Sequence, residues 1–363
     1  MFRPLAPWRA SCGDGARRRQ PTRSRRSVML KRIVAVAAVL VVAAGSLGPV
    51  TAQGGKVAML LPGSINDQSW NAAGYGGLQK LKEQGMETAY SENVQAADHI
   101  EAMKDYARRG FSPVIGHSGR FLSAAQRVGP EFEKTLFVVG SGSGGQGKNV
   151  ISLDLANEQF GYLAGALAAR MSKTGKIGAV AGLEGLPNMV ASMGGFRLGA
   201  KSVRPDVEVR IVYLQSMEDP AAAKEAAFSL IGAGADVVGG KLNAGHAGLV
   251  QAAKEKGVWT IGRSFGHTQI APERVLTNIN EKWSEVYATA VPELIAGRLH
   301  GPYIAFGYDT RGTTGGELRY SPEREFNAGV PPAVVAELEA IKKKLASGAL
   351  RVKPTKDDAR SGA

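Results

Sequence analysis

From about residue 56 the chain alternates short β-branched runs with longer helix-patterned stretches, and it does so in two successive series. Strands separated by helices pair in parallel, with the helices covering both faces of the sheet, so the pattern predicts a doubly wound α/β fold. The first series predicts strands over Lys56–Leu61, Glu87–Tyr90, Phe111–Ile115, Leu136–Gly140 and Val150–Leu153. A helix over Glu158–Met171 leads into the second series, Lys176–Ala181, Val207–Leu214, Asp236–Gly239 and Val258–Gly262. The intervening helices are amphipathic: over Ala97–Arg109, Ile100, Met103 and Ala107 share one face. Pro220 opens a helix that runs to Ala233, and another spans Trp283–Ala296 and closes at Gly297.

Beyond residue 52 the chain has about 310 residues, more than one core usually supports, so two lobes are expected. Residues 53–155 with about 280–302 form the first, and 156–279 with about 303–345 the second. Residues 346–363 are charged and small and read as a flexible tail. Both sheets would point the carboxyl ends of their strands into one cleft, where α/β proteins bind small molecules.

Residues 29–52 have the three parts of a secretion signal: Lys31 and Arg32, the apolar run Ile33–Leu47, and small residues at Thr51 and Ala52. The run is short for a membrane span, although an uncleaved anchor is the alternative. Residues 1–28 read as a disordered basic extension, either upstream of a true start at Met29 or as an unusually long charged leader. The expected location is the periplasm. No cysteine follows the apolar run, so a free protein without a lipid anchor is expected, and a monomer.

The headline charge of +13 is misleading. Ten of the 45 Lys+Arg and one of the 32 acids lie in residues 1–52, which leaves 35 basic and 31 acidic residues, about +4. That balance, without a basic stripe interleaved with aromatics, argues against nucleic acid as a partner. The single cysteine, Cys12, lies in the extension, so no disulfide or thiolate metal site is expected beyond it. No cofactor is expected either.

Three motifs suggest chemistry and fail on context. Gly142–Gly147 matches G-x-G-x-x-G, but a strand follows it where a phosphate site needs a helix. Gly262-Arg-Ser264-Phe-Gly266 matches G-x-S-x-G, but His267–Pro272 reads as loop where a nucleophile elbow needs a helix. Five scattered histidines form no ligand cluster, so no metal site is expected, though His117, His246 and His267 follow strands and could reach the cleft. Asp67-Gln-Ser-Trp70-Asn71 is different. It follows the first strand, and an aromatic among polar groups suits a flat polar heterocycle, while Asp67 could equally cap the next helix. An exported α/β chain with such a mouth and no catalytic set is most simply a solute receptor.

At these residues the chain resembles the basic membrane protein family of ABC-transporter substrate-binding proteins, the purine nucleoside receptor-like group. The likeness runs through Asp67–Ala72, EQFGYLAGALAA (Glu158–Ala169), GLPNMVASMGGFRLGAK (Gly185–Lys201), MEDPAAAKEAA (Met217–Ala227), GADVVGG (Gly234–Gly240) and AAKEKGVWTIG (Ala252–Gly262). The resemblance implies a type I periplasmic-binding-protein fold, two lobes with a hinge and an interlobe cleft. It implies no enzymatic activity, a small heterocyclic ligand and an ABC permease as partner. It places Trp70 on one face of a purine, Met217 where a second aromatic is usual, and Asp67, Asn71, His117, Ser118 and Asp154 among the polar contacts. The chain departs from the family at Arg263 and Phe265 and at Lys241, Asn243 and His246, with Ser264 where an aspartate would grip ribose. A nucleoside, a free base, an acidic purine derivative or another heterocycle therefore stay open as ligands.

Overall fold

The computed structural model describes residues 55–67, 70–310 and 313–362, which lie within one compact unit, residues 53–363. The basic extension and the secretion signal lie outside the described residues, as do Gln68 and Ser69 of the first turn.

The first sheet is built from β1 (Lys56–Leu60), β2 (Glu87–Ser91), β3 (Val114–Gly116), β4 (Phe137–Gly140) and β5 (Val150–Leu155). The second uses β6 (Lys176–Gly182), β7 (Glu208–Leu214), β8 (Val237–Lys241), β9 (Trp259–Gly262) and β10 (Val275–Glu281). Two later strands, β11 (Tyr303–Phe306) and β12 (Gly316–Arg319), complete the sheets. The strand orders are β11-β5-β4-β3-β1-β2 and β12-β10-β9-β8-β6-β7, all parallel except the β10–β12 pair. This is the type I periplasmic-binding-protein architecture, with two doubly wound α/β lobes.

The helices, in chain order, are α1 (Trp70–Glu83), α2 (His99–Arg108), α3 (Leu122–Val128), α4 (Asn157–Met171) and α5 (Pro187–Val203). They continue with α6 (Pro220–Gly232), α7 (His246–Lys256), α8 (Phe265–Ile270), α9 (Trp283–Ile295) and α10 (Pro332–Ala346). Central strands read as continuous apolar runs because both faces are covered; all six residues of β5 are buried. Helices α4 and α5 pack backbone to backbone: a Cβ on Gly165 would overlap the Phe196 carbonyl, and one on Gly199 the Tyr162 carbonyl. Only glycine permits that approach.

Three features differ from expectation. Residues 303–306, placed with the second lobe, hydrogen-bond in parallel to β5 in the first sheet. The buried β5 needs a neighbour on both sides, so the chain returns to the second lobe only after Phe306. The tail is not loose. Arg197 donates to the carbonyls of Asp357, Asp358, Arg360 and Gly362, and Gly362 pairs with Ile211 on the edge strand β7. An unpaired sheet edge and a part-buried guanidinium both need acceptors and donors that the tail provides. Finally, Phe265–Ile270 is a short helix, α8, where a loop was expected. Ser264 holds an extended backbone before it, and the His267 ring accepts the Arg263 amide hydrogen at 3.0 Å, which closes the turn.

Candidate functional site

A cavity of about 590 Å³ opens where the strand ends of both sheets meet. Its first-lobe wall is Asp67, Trp70 and Ala73; its second-lobe wall includes Leu242, Asn243, Arg263, Phe265 and His267, with Asn280, Glu281 and Trp283 between them. Its size and its mix of apolar surface with a few polar groups suit a small ligand.

The first wall is organised by the start of α1. The Asp67 carboxylate accepts the backbone N–H groups of Asn71 (2.8 Å) and Ala72 (2.9 Å) and the Asn71 side-chain amide (2.7 Å). It therefore caps α1 as well as lining the cavity. Asn71 is buried and turns its carbonyl oxygen to Gly63 N–H at 3.1 Å, so it shapes the loop. Trp70 lies flat on the His117 ring and meets Trp283 edge-on at 5.3 Å. Trp70 is the first residue of α1 and half-buried.

His117 does not reach the cavity. It is fully buried beneath Trp70, where its Nε2 faces the Trp70 carbonyl oxygen at 2.9 Å and its Nδ1 faces the Tyr287 hydroxyl at 2.7 Å. A carbonyl only accepts, so Nε2 carries the proton and Nδ1 accepts from Tyr287. Burial lowers its pKa from 6.5 to about 4, which keeps the ring neutral. His246 is likewise fully buried, donating from Nε2 to Ile261 O, and burial holds it neutral.

The second wall is built on charge. Glu281, at the end of β10, takes Lys241 Nζ at 2.6 Å and Arg263 Nη2 at 2.7 Å on the same carboxylate oxygen. Burial alone would raise the Glu281 pKa; Arg263 and Lys241 together outweigh it and hold the group ionised. Burial lowers the Lys241 pKa, with Glu281 opposing. Lys241 also donates to the side-chain oxygen of Asn157 at 2.5 Å. Asn157 in turn lies 3.5 Å from Asp154, whose pKa burial pushes up to about 7.

The candidate residues thus divide. Asp67, Trp70, Asn243, Arg263 and Phe265 line the cavity. Asn71, His117, Ser118, Asp154 and Met217 do not. Ser118 caps a short turn by accepting Arg120 N–H, and Asp154 sits behind Lys241. Met217 packs over Gly182 and offers its carbonyl to Asn243 and Gly245. Glu281, Asn280 and Trp283 were missed, although polar residues at the end of a strand such as VLTNINE are a legible signal.

Ser264 Oγ lies 3.4 Å from His267 Nδ1, but that nitrogen already accepts the Arg263 amide hydrogen. His267 therefore has no acceptor to serve as base for Ser264. Among the described residues no cluster of three metal-ligating side chains occurs, and no helix is long and apolar enough to cross a membrane.

A family model described as ABC transporter substrate-binding protein PnrA-like matches residues 55–314. The transcriptional activator protein med of Bacillus subtilis is 29% identical over 276 residues, 75% of this chain and 86% of that protein. A purine-binding protein of Brucella abortus is 27% identical, over 69% of this chain and 72% of its own length. The solved structure of an ABC transporter solute-binding protein from Conexibacter woesei superposes with a TM-score of 0.65 at 26% identity, covering 83% of this chain and 99% of that one.

Proposed function

We propose, from the premise that this chain belongs to the family of PnrA-like ABC transporter substrate-binding proteins, that it captures a small planar heterocycle for import. The family consists of binding proteins, not enzymes, and its members work outside the cytoplasm. The ligand would be a purine nucleoside, a nucleobase or a related heterocycle, bound by a monomer in the periplasm and handed to an inner-membrane ABC permease. The observation that carries this reading is Trp70: an indole at the cavity wall, stacked on a buried histidine, next to a 590 Å³ space. The purine-binding relative of Brucella abortus supports the ligand class. Secretion is supported by the signal-like residues 29–52. Closure of the lobes around the ligand would bury the heterocycle between Trp70 and the Arg263–Phe265 turn.

The test is a thermal-shift and calorimetric screen with nucleosides, nucleobases and other small heterocycles, because a ligand that binds the native state raises its melting temperature. Absence of a shift with every heterocycle would overturn the reading. A second reading, a receptor that reports its ligand to a membrane sensor, is favoured by one observation, the transcriptional-activator name of the Bacillus subtilis relative. Deleting the gene separates the two: loss of labelled-solute uptake supports import, and loss of a transcriptional response without loss of uptake supports sensing.

A further inference from the structure

We infer that the cleft selects an anionic ligand, a heteroaromatic acid whose negative charge is seated on the Arg263 guanidinium, beside Asn280. This rests on the heterocycle-receptor reading above and narrows it.

The charge count at the cavity floor is the first reason. Two cations, Lys241 and Arg263, share one carboxylate oxygen of Glu281, so the trio keeps one net positive charge. That charge is local to the Arg263 wall. Asp67 stands on the opposite wall, held by the first amides of α1 at that helix's positive end. Glu218 is held by the Asn243 amide and Ala244 N–H. His267 and His246 are kept neutral by burial, and Asp154 is set back from the cavity and pushed toward its neutral form.

The second reason is the donor inventory. A guanidinium has five N–H donors. Among the described residues, the Arg263 side chain meets only Glu281, through Nη2, and it stands on the cavity wall at 13% exposure. Asn280, on the same wall, adds no charge of its own. The Arg263 guanidinium is thus a donor awaiting an acceptor, while the nearest carboxylate, Glu281, is already occupied by Lys241, Arg263 and the Trp283 indole N–H. A ligand hydroxyl presented here could accept through its oxygen but would find no free carboxylate on this wall for its own hydrogen. A carboxylate or an ionised ring oxygen meets the guanidinium with lone pairs, and its charge is bound more strongly in a cleft from which water is excluded.

The experiment is calorimetry on the purified protein at neutral pH with matched pairs that differ in charge: nicotinate against nicotinamide, orotate against uracil, and urate against hypoxanthine, with inosine and adenosine alongside. The expected result is that an anion binds at least about tenfold tighter than its neutral partner, and that Arg263→Gln cuts this margin to within about threefold. Arg263→Lys, which keeps the charge but not the fork, should retain part of it. If Arg263→Gln does not fold, Asn280→Asp serves instead: a carboxylate facing the ligand should weaken the anion about tenfold and the neutral partner far less. Neutral bases or nucleosides that bind as tightly as the anions would overturn the inference and leave the receptor reading standing. An anion preference that survives both Arg263→Gln and Asn280→Asp would overturn this seat for the charge. No binding by any compound, charged or neutral, would overturn the receptor reading and this inference together.

Discussion

Trp70 and His117 hold each other in place: their ring centroids are 4.2 Å apart with planes 14° from parallel, and each donates a hydrogen bond to the other's backbone carbonyl. The indole Nε1 reaches His117 O at 2.9 Å and His117 Nε2 reaches Trp70 O at 2.9 Å. Behind the histidine, the Tyr287 hydroxyl from α9 donates to the Nδ1 that this tautomer leaves unprotonated. A side chain held on one face by a stack and at its edge by a hydrogen bond loses little entropy when a ligand covers the other face.

Trp70→Ala is expected to weaken ligand binding by roughly 1–3 kcal/mol, the range for stacking of a base on an aromatic ring. Trp70→Phe keeps a ring but loses the hydrogen bond to His117 O, so it should lie between the two. Calorimetric titration of the three proteins with one ligand provides the check; equal affinities would remove Trp70 from the site.

Gly74→Ala should disturb the same site without touching the cavity. A methyl group at Gly74 would collide with the imidazole of His117, which is boxed in by Tyr287 and Trp70. The expected outcome is a loss of about 1–3 kcal/mol in stability from overpacking, together with weaker ligand binding as Trp70 tilts. Chemical denaturation measures the first effect and calorimetric titration with one ligand the second.

Glu281→Gln leaves Lys241 and Arg263 buried side by side with no counter-charge, because both meet the same oxygen of Glu281. A destabilisation of about 3–5 kcal/mol is expected, as for other buried pairs stripped of one partner. Pairing it with Lys241→Met should recover part of the loss. A melting temperature unchanged by Glu281→Gln would contradict the arrangement.

Stability should rise from about pH 4 to about pH 7 and level off above it. Burial lowers His117 and His267 from 6.5 to about 4, and His246 further, so the unfolded chain takes up protons in this range that the folded chain refuses. Stability is then lost as pH falls from about 6.5 to about 4. Asp154 has the opposite sign: raised from 3.8 to about 7, it makes stability fall as pH rises through that interval. His99 is lowered in the same direction, so the histidines outweigh the one aspartate throughout the interval, and both contributions fade above about pH 7. Melting temperatures across this range should show the rise and the plateau, and Asp154→Asn should steepen the rise by removing the opposing group.

Much of the fold was legible. The two βα series appear where the alternation placed them, and the strands predicted in each series pair within one sheet. The failures share a cause. Residues 303–306 and the tail 354–362 have no periodicity that names their partner, since β5 and Arg197 lie far away in the chain. Half of the candidate site residues reached the cavity. The turn at Asp67–Asn71 announced itself through polar and aromatic residues after a strand, yet whether a polar group faces the ligand or caps a helix depends on a few tenths of a turn.

The sequence by itself determined the layered α/β architecture and the strand ends that host the site, because hydrophobic period and helix punctuation act over a handful of neighbouring residues. Only the tertiary structure decided the chemistry of the cleft. Lys241 and Glu281 are 40 residues apart, and His117 lies 47 from Trp70, so their charge balance and stacking exist only once each lobe has folded. The physical reason is range: local patterns record which face is buried, whereas a Coulombic pair or a ring stack needs a separation of a few ångströms that only the folded chain defines.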